Sequence, residues 1–255
     1  MKPKQTHHQA IRTLCFGVLL IFCALPATGI AEPKIITDEM SDEELRRYRD
    51  EQVALLKRRA RETQPETTAD GTVHRVFYCT VYYTPKESGF TAERGFDVTP
   101  ATAPGLGGRK YPRSFLAAVK KEGFGRLAQP VRGRNYLQYA GGGRYQFASA
   151  ALGSRGNVLV ARQSCAISPR NPHLRQRGEI VIKSPTVEAA TGSSEWLIGD
   201  TGGGVQPLQI DLYWGEDEPR GPAGRNLARP AGTAMEYAFD VTVIVKKKPT
   251  PPKTD

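Results

Sequence analysis

The chain has 255 residues, of which 39% are apolar, and it carries a formal net charge of +10 at pH 7. That length and apolar content are enough for one folded domain with extensions. The basic residues are scattered rather than interleaved densely with aromatic side chains, which argues against a protein that reads nucleic acid. No cysteine or histidine spacing suits zinc and no Gly-Lys-Ser/Thr phosphate loop occurs, so no metal or cofactor is expected.

The first 31 residues are typical of a secretory signal peptide. Three basic residues precede an apolar run at 14–25, and small residues follow up to Ala31, where cleavage is expected. The run is too short to span a membrane. A lipid anchor would need a small residue before Cys23, where Phe22 stands. We therefore expect a soluble protein exported to the periplasm or cell envelope. Basic proteins there meet anionic wall polymers and membrane surfaces more often than nucleic acid.

Residues 32–71 are predicted to form a charged helix and a linker outside the main domain. Ser41 and Glu44 are spaced as a capping box, and good helix formers continue to about Thr63. The apolar stripe of this helix is narrow and comprises Leu45, Tyr48, Val53, Leu55 and Leu56. A narrow stripe favours loose packing on the core or a spacer role. Residues 64–71, rich in Thr, Pro, Asp and Gly, are interpreted as a linker.

The main domain is predicted at residues 72–246. A β-branched and aromatic strand at 73–84 opens it, followed by a long loop at 85–108 and a short helix at 115–122 that Ser114 caps and Gly123 ends. Further strands are predicted at 136–139, 145–148, 158–167, 179–182, 196–198, 210–214 and 237–245. Many short strands with one small helix indicate a closed, β-rich barrel. Residues 247–255, rich in Lys and Pro, are expected to be a disordered tail.

Two cysteines, Cys79 and Cys165, remain after signal cleavage, and both lie in predicted strands. In an oxidising compartment two such thiols suggest one disulfide. Two buried free thiols are the alternative, because spacing in the sequence does not show that the cysteines meet.

The most informative stretch is residues 196–215, which places two carboxylates among apolar strand residues and glycines. Asp200 ends one predicted strand, Asp211 lies inside the next, and the glycines at 202–204 let the backbone approach a ligand closely. A carboxyl held against apolar neighbours such as Trp214 has its pKa raised by desolvation, which makes it a candidate proton donor. In the alternative interpretation Asp200 caps a turn and Asp211 pairs with a surface arginine.

Several motifs of the main domain resemble those of a known family. They are Ala-Ile-Ser-Pro at 166–169, Gly-Asp-Thr-Gly-Gly-Gly-Val at 199–205 and Ile-Asp-Leu-Tyr-Trp-Gly at 210–215. Together they resemble the three-aspartate (3D) domain shared with the membrane-bound lytic transglycosylase A family of peptidoglycan-cleaving enzymes. The segment at 80–85 resembles the opening strand of that family, and the segment at 121–127 is similar to the one that follows its helix. The resemblance runs from about Val76 to Val245.

The resemblance implies a mainly β fold, a six-stranded double-psi β-barrel with a short helix and long loops, preceded by an N-terminal helix. It implies cleavage of the β-1,4 bond between N-acetylmuramic acid and N-acetylglucosamine with a 1,6-anhydro product. Asp211 would be the acid/base and Asp200 its supporting carboxylate. The residues expected to contact the glycan are Tyr83, Thr84, Ser168, Thr201, Gly202, Gly203 and Trp214. We expect a monomer that acts on peptidoglycan glycan strands.

One position departs from the family pattern. Ser168 stands where the first aspartate is expected, and a serine cannot supply the like-charge field that raises the pKa of a neighbouring acid. A non-catalytic peptidoglycan-binding protein with a degenerate site is therefore the main alternative. A homodimeric aspartic peptidase is a further one, because Asp-Thr-Gly at 200–202 fits that class superficially and two such loops are needed. If Asp211 is not the acid, Glu87 in the long loop is the next candidate.

Overall fold

The computed structural model describes residues 41–217 and 238–247. The predicted signal peptide at 1–31, the first part of the predicted helix and linker segment, and the tail beyond residue 247 lie outside the described residues. Within the described ranges, no helix combines the length and apolarity needed to cross a membrane.

The described residues form three α-helices and twelve strands. They are α1 (Asp42–Glu62), β1 (Glu66–Thr67), β2 (Gly71–Pro85), β3 (Pro100–Thr102), β4 (Lys110–Pro112), α2 (Arg113–Glu122), β5 (Phe124–Val131), β6 (Arg134–Gly141), β7 (Arg144–Ala148), β8 (Ser164–Ile167), β9 (Glu179–Lys183), α3 (Pro185–Thr191), β10 (Glu195–Thr201), β11 (Gln209–Asp217) and β12 (Ala238–Lys246). The prediction of a mainly β fold is confirmed. The helix α3 was not predicted, although Ser184 caps it by accepting a hydrogen bond from the Val187 amide.

Six strands form a closed ring in the order β2, β11, β8, β10, β9, β12, with β12 pairing back onto β2. The pairs β2–β11 and β8–β10 are parallel, and the other pairs are antiparallel. Because the ring closes on itself, these strands leave few unpaired backbone groups at their edges.

Alternate side chains of the ring strands fill its interior. Cys79, Ile210 and Cys165 lie on three neighbouring strands, and each is 0% exposed. Further buried members of this cluster are Phe77, Ile180, Ile182, Ile198, Leu212, Val241 and Val243. Since successive strand residues point to opposite faces, Thr80 and Asp211 lie on the outer face of the ring.

A second layer, formed by α2 and the β5–β6–β7 sheet, has its own apolar cluster. A Cβ atom at Gly125 would come within 2.6 Å of the Phe115 ring, so only glycine lets β5 approach α2 this closely. Tyr213 of the ring belongs to a small cluster with Phe124 at the start of β5, and Tyr136 of β6 packs against that cluster. This contact holds the sheet beside the outer face of the ring.

The helix α1 is packed more firmly than its narrow apolar stripe predicted. The capping box of Ser41 and Glu44 is confirmed. However, Leu56 is 3% exposed within the core cluster, and Tyr48 meets Phe239 of β12 edge to face at 5.5 Å between ring centroids. Of the two expectations for this helix, packing on the core agrees with the structure and a spacer role does not. Two large side chains, about two helical turns apart, fix the helix on the ring.

The predicted Cys79–Cys165 disulfide is wrong, because both cysteines are free buried thiols. Cys79 pairs with Ile210 and Cys165 pairs with Leu212, so β11 runs between the two cysteine strands. Two strand spacings separate their Cα atoms by about 10 Å, whereas a disulfide requires Cα atoms less than about 7 Å apart. Burial raises the pKa of both thiols, which makes them unreactive in the folded chain.

One loop prediction and one strand prediction also need correction. The long loop at 85–108 contains two short 3₁₀ turns, Glu87–Gly89 and Ala92–Arg94, and the strand β3. The predicted strand at 158–167 begins only at Ser164, and Val158 and Val160 are exposed. Their β-branched side chains satisfied the pattern, but among the described residues no strand pairs with that segment beyond a single bridge at Val158.

Candidate active site

Asp200 and Asp211 meet on the outer face of the ring, on either side of Ala166. Asp211 of β11 pairs with Ala166 of β8, and Asp200 of β10 pairs with Ala166 from the other side. Paired residues on neighbouring strands point to the same face. The two aspartate Cα atoms are therefore about 10 Å apart, two strand spacings. Ala166, which lies between them on β8, carries only a methyl side chain and is 3% exposed.

A β-bulge aims Asp200 outward. Ile198 pairs with Cys165 and points into the ring, so regular alternation would point Asp200 inward as well. The register shifts between Ile198 and Asp200, and the extra residue there is Gly199. Because one additional residue reverses the alternation, Asp200 shares the outer face with Asp211.

A short hydrogen-bond relay orients Asp211. Gln209 Nε2 donates to Thr80 Oγ1 at 2.7 Å, and Thr80 Oγ1 donates to Asp211 Oδ1 at 2.5 Å. Burial raises the pKa of Asp211 to about 6, and the charge of Asp200 adds to that rise. The Thr80 hydrogen bond and the charge of Lys121 oppose it. Asp211 is therefore an acid whose proton is available close to neutral pH.

Asp200 is held by backbone donors. The amides of Ser154 and Thr201 both donate to Asp200 Oδ1, each at 2.7 Å. Burial nevertheless raises the pKa of Asp200, and the hydrogen bonds from Thr201 and Ser154 counter that rise. Ser154 Oγ itself accepts hydrogen bonds from Gln176 Nε2 and Thr201 Oγ1. This network fixes the direction of one carboxylate oxygen and supports Asp200 as a positioning group.

A groove runs along Asp200 between the ring and the second layer. It is a cavity of about 380 Å³ whose walls come from the end of α2, the strands β5 to β7, the 152–156 loop and the end of β10. A Cβ atom at Gly153 would collide with the carbonyl oxygen of Gly199. Only a glycine therefore allows the 152–156 loop to approach the bulge and present the Ser154 amide to Asp200.

Glu122 is a third carboxyl of this region, and it was not predicted as a site residue. It is the last residue of α2, its side chain is 7% exposed, and it lines the groove together with Asp200. Burial raises its pKa to about 7, and the charge of Asp211 contributes to the rise. The available sequence signal was an acid at the C-terminal end of a helix, where the helix dipole disfavours a negative charge.

Tyr82 brings a hydroxyl near both aspartates. The charges of Asp200 and Asp211 add to burial in raising the pKa of Tyr82. Its hydroxyl is buried and has no hydrogen-bond partner among the described residues. Its ring lies 5.2 Å from that of Tyr213. An unused donor beside two carboxylates is a group that a bound ligand can satisfy.

The two aromatic residues predicted to contact the glycan, Tyr83 and Trp214, are buried by other side chains. Tyr83 and Trp214 form a buried cluster with each other, and the Arg162 guanidinium lies over the Trp214 ring at 4.8 Å. Thr84 is also buried, and its hydroxyl shares a 2.8 Å hydrogen bond with the Tyr213 hydroxyl. The structure places these three side chains in packing contacts, so their predicted role as sugar contacts stays a prediction.

The remaining predicted contacts lie at strand ends near the aspartates. Ser168 follows β8, is 1% exposed, and accepts a 3.2 Å hydrogen bond from the Arg170 amide. Thr201 joins the Ser154 network, and the Gly202 amide donates to the Ile167 carbonyl at 3.1 Å. Gly203 is exposed, with open space where a Cβ atom would lie.

Glu87 belongs to a clamp outside this site. Both of its carboxylate oxygens accept hydrogen bonds from Arg109 Nη2 at 2.8 Å, and one also accepts from the Ala128 amide. Through these contacts Glu87 links the long loop to β5. Its role as the alternative acid stays a prediction. Among the described residues, no group of three or more His, Cys, Asp or Glu side chains is arranged to hold a metal ion.

Comparison with known proteins finds likenesses in structure only. No family model and no curated protein matches the sequence. The fold is similar to a membrane-bound lytic murein transglycosylase from Agrobacterium tumefaciens (13% identity, 77% of this chain and 84% of that chain, TM-score 0.45). It is also similar to E. coli MltA with bound chitohexaose (15% identity, 79% of this chain and 84% of that chain, TM-score 0.43). A third similar structure is the lytic transglycosylase LtgG of Burkholderia pseudomallei (14% identity, 72% of this chain and 76% of that chain, TM-score 0.35).

The names of these neighbours are those of lytic transglycosylases, the family that the motifs around Asp200 and Asp211 resemble.

Proposed function

We propose that the chain is an exported peptidoglycan lytic transglycosylase. It cleaves the β-1,4 bond between N-acetylmuramic acid and N-acetylglucosamine and leaves a 1,6-anhydro ring, with Asp211 as acid/base and Asp200 as its supporting carboxylate. One observation carries the assignment of the acid. Asp211 shares the outer face of the ring with the groove-lining Asp200, and its pKa is raised to about 6 by burial and by the charge of Asp200. The substrate class comes from the motif resemblance.

The reaction needs only one proton-transferring group. Protonated Asp211 gives its proton to the glycosidic oxygen as the bond from that oxygen to C1 of N-acetylmuramic acid breaks. The resulting carboxylate then takes the proton of the C6 hydroxyl as the C6 oxygen bonds to C1. The proton is returned to Asp211 at the end, so the site is ready for another cycle. Hydrolysis by two carboxyls at a fixed separation is a different arrangement.

The relay to Asp211 decides which of its oxygens is free. Thr80 Oγ1 already accepts the Gln209 amide hydrogen, so its own hydrogen points to Asp211 Oδ1. Oδ1 is thereby occupied as an acceptor, and Oδ2 is left to carry the proton toward the substrate. Asp200 supports this state because its negative charge disfavours ionisation of Asp211.

The proposal also covers the fold of the main domain and the cellular location of the protein. Residues 72–246 form a double-psi β-barrel domain, supported by the closed ring of six strands with two parallel pairs. The chain acts as a monomer in the periplasm or cell envelope on glycan strands of peptidoglycan, after removal of residues 1–31.

A peptidoglycan-binding protein without activity is the second candidate, and one observation favours it. Ser168, at the position of the first family aspartate, is buried and bonded to the Arg170 amide, so no carboxylate is present there.

Digestion of purified peptidoglycan tests the proposal. The wild-type protein should release 1,6-anhydromuropeptides detectable by mass spectrometry. Asp211→Asn keeps the shape and the acceptor for Thr80 but removes the transferable proton, so turnover should fall by roughly two to four orders of magnitude. The variant should still sediment with peptidoglycan, and exposed Asp70→Asn is the matched control.

Other outcomes separate the alternatives. A wild-type protein that sediments with peptidoglycan but releases no anhydromuropeptides is a binding protein. Products cut only in the peptide stems would indicate a peptidase. Unchanged turnover in Asp211→Asn would move the acid to another residue.

A further inference from the structure

The helix α1 and the outer face of the ring enclose a further cavity of about 430 Å³. We call it the α1 pocket, and its walls include Arg49, Val53 and Lys57 of α1, Tyr78 and Thr80 of β2, and Gln209 of β11. The three helix residues are spaced four apart, so they form one stripe along α1. The facing wall contains both members of the hydrogen-bond relay that orients Asp211.

Asp211 lies between the α1 pocket and the second layer. Gln209, Asp211 and Tyr213 follow one another on the outer face of β11 and pair with alternate residues of β2. Gln209 lines the α1 pocket, whereas Tyr213 belongs to the cluster at the start of β5. Each lies two residues from Asp211, which is about 7 Å along the strand. A ligand bound at Asp211 can therefore extend a substituent into the α1 pocket.

The Gln209 amide is held in one orientation in this pocket. Its Oε1 atom accepts hydrogen bonds from the Gln206 backbone amide at 2.9 Å and from the Tyr78 hydroxyl at 3.4 Å. Its Nε2 atom donates one hydrogen to Thr80 Oγ1 at 2.7 Å. A side-chain amide nitrogen carries two hydrogens, and the second has no acceptor among the described residues. A bound acceptor can satisfy this second hydrogen.

The α1 pocket and the groove at Asp200 differ in charge. The charged residues of the pocket are Arg49, Asp50 and Lys57, and Asp50 is already paired with Arg49 at 2.8 Å. The Lys57 side chain is exposed and makes no ion pair or hydrogen bond with another described residue. The ionisable acids of the groove are Glu122 and Asp200, and no basic residue lines it. An anion is therefore attracted to the pocket and repelled from the groove.

We propose that the α1 pocket binds a carboxylate carried by the C3 substituent of N-acetylmuramic acid, either the lactyl group itself or the acidic peptide attached to it. The inference rests on the proposed function, because it concerns a substituent of that substrate. The substituent belongs to the sugar whose C1 reacts at Asp211, so it begins beside the pocket. Lys57 and Arg49 supply positive charge, and Gln209 Nε2 supplies a directed hydrogen-bond donor. The neutral sugar rings lie toward the groove.

Isothermal titration calorimetry with three oligosaccharides of equal length tests the proposal. The first is a peptide-bearing glycan, the second a peptide-free glycan whose lactyl groups end in carboxylates, and the third an N-acetylglucosamine oligosaccharide without a carboxylate. Every protein carries Asp211→Asn, so that the ligands stay intact during the titration. At least one carboxylate-bearing ligand should bind about tenfold more tightly than the neutral one, the effect of one hydrogen bond to a charged group. The tighter of the two identifies the source of the carboxylate.

Substitutions in the α1 pocket should reduce this preference. Lys57→Gln should lower it by about two- to fivefold, the size of an exposed charge pair, and Arg47→Gln, exposed on α1 outside the pocket, is the matched control that should keep it. Gly204→Glu should abolish the preference, because it adds a carboxylate to the pocket wall. A Cβ atom at Gly204 meets no other atom within 4 Å, so the variant should fold. Gly204→Gln matches Glu in size, so the difference between these two variants measures the effect of charge alone.

Three results would overturn the proposal. They are equal binding of all three oligosaccharides, a preference that Arg47→Gln lowers as much as Lys57→Gln does, and a preference that Gly204→Glu retains. The second of these would indicate a general attraction to a basic chain.

Failure of the proposed function gives a different result. A wild-type protein that releases no anhydromuropeptides, with the carboxylate preference present, would keep the pocket and remove the activity. An active protein that binds the three oligosaccharides equally would keep the activity and remove the pocket.

Discussion

Replacing Asp211 with Asn should make the protein more stable at neutral pH while it lowers turnover by roughly two to four orders of magnitude. The pKa of Asp211 is raised from 3.8 to about 6 in the folded chain. Between these two values the folded state binds more protons than the unfolded state, so the free energy of unfolding falls as the pH rises through this window. Above about pH 6 the folded protein bears the full cost of an ionised, part-buried carboxylate.

The size of the gain follows from that shift. A rise of about two pH units, at 1.36 kcal/mol for each unit, corresponds to about 3 kcal/mol. This figure is an upper bound, because the Asn amide group must find partners of its own. Thr80 can still donate to the side-chain oxygen of Asn, so the relay survives. For a domain of this size a gain of 1 to 3 kcal/mol corresponds to an increase in Tm of about 2 to 12 °C.

Urea unfolding of wild-type and Asp211→Asn proteins from pH 3 to pH 8 measures the effect. The variant should be more stable at pH 7 to 8, and the difference should disappear below about pH 4, where Asp211 is protonated in both states. Exposed Asp70→Asn controls for a general change in charge. An Asp211→Asn protein that is equally or less stable at pH 8, or a gain that does not depend on pH, would refute the reasoning.

Three further predictions concern single elements. Gly153→Ala should push the 152–156 loop away from Gly199 and break the Ser154 hydrogen bond to Asp200. Anhydromuropeptide release should therefore fall, while near-UV circular dichroism shows an intact ring core. Full activity of the variant would contradict the role of the loop. Leu56→Ala, at the buried face of α1, should destabilise the chain by about 2–5 kcal/mol in urea unfolding, whereas a change below about 0.5 kcal/mol, typical of surface positions, would restore the spacer interpretation. Cys79 and Cys165 should both be alkylated after unfolding without reductant, because they are free thiols, and peptide mapping that finds them joined would contradict the strand order.

Much of the local structure could be predicted because its causes lie within a few residues. The capping box of Ser41 and Glu44 begins α1, Gly123 follows the end of α2, and the β-branched run in β2 forms a strand. The helix α3 was missed because it has only seven residues, too few to show a helical period. The segment at 158–163 was predicted as strand because its side chains suit a sheet, yet pairing requires a neighbour that the sequence does not reveal.

Some features of the candidate site were likewise recognisable in the sequence, and others were not. The motif around Asp200 and Asp211 was recognisable, and the desolvation that raises the pKa of Asp211 was expected from its apolar neighbours. Glu122 was not recognised, because nothing near it in the chain indicates that α2 ends at the groove that Asp200 lines. Tyr83 and Trp214 were predicted to contact sugars from residue type alone, and packing buries both of them.

The sequence by itself determined the type and approximate place of most of the described helices and strands, which strands are apolar on one face, and which two aspartates belong to one motif. Those properties depend on side-chain chemistry and short-range periodicity. Only the tertiary structure decided that β11 separates Cys79 from Cys165, that the bulge at Gly199 turns Asp200 to the outer face, and that Glu122 lines the same groove as Asp200. Each of these depends on strand order or register, where a shift of one residue reverses the face that every side chain occupies.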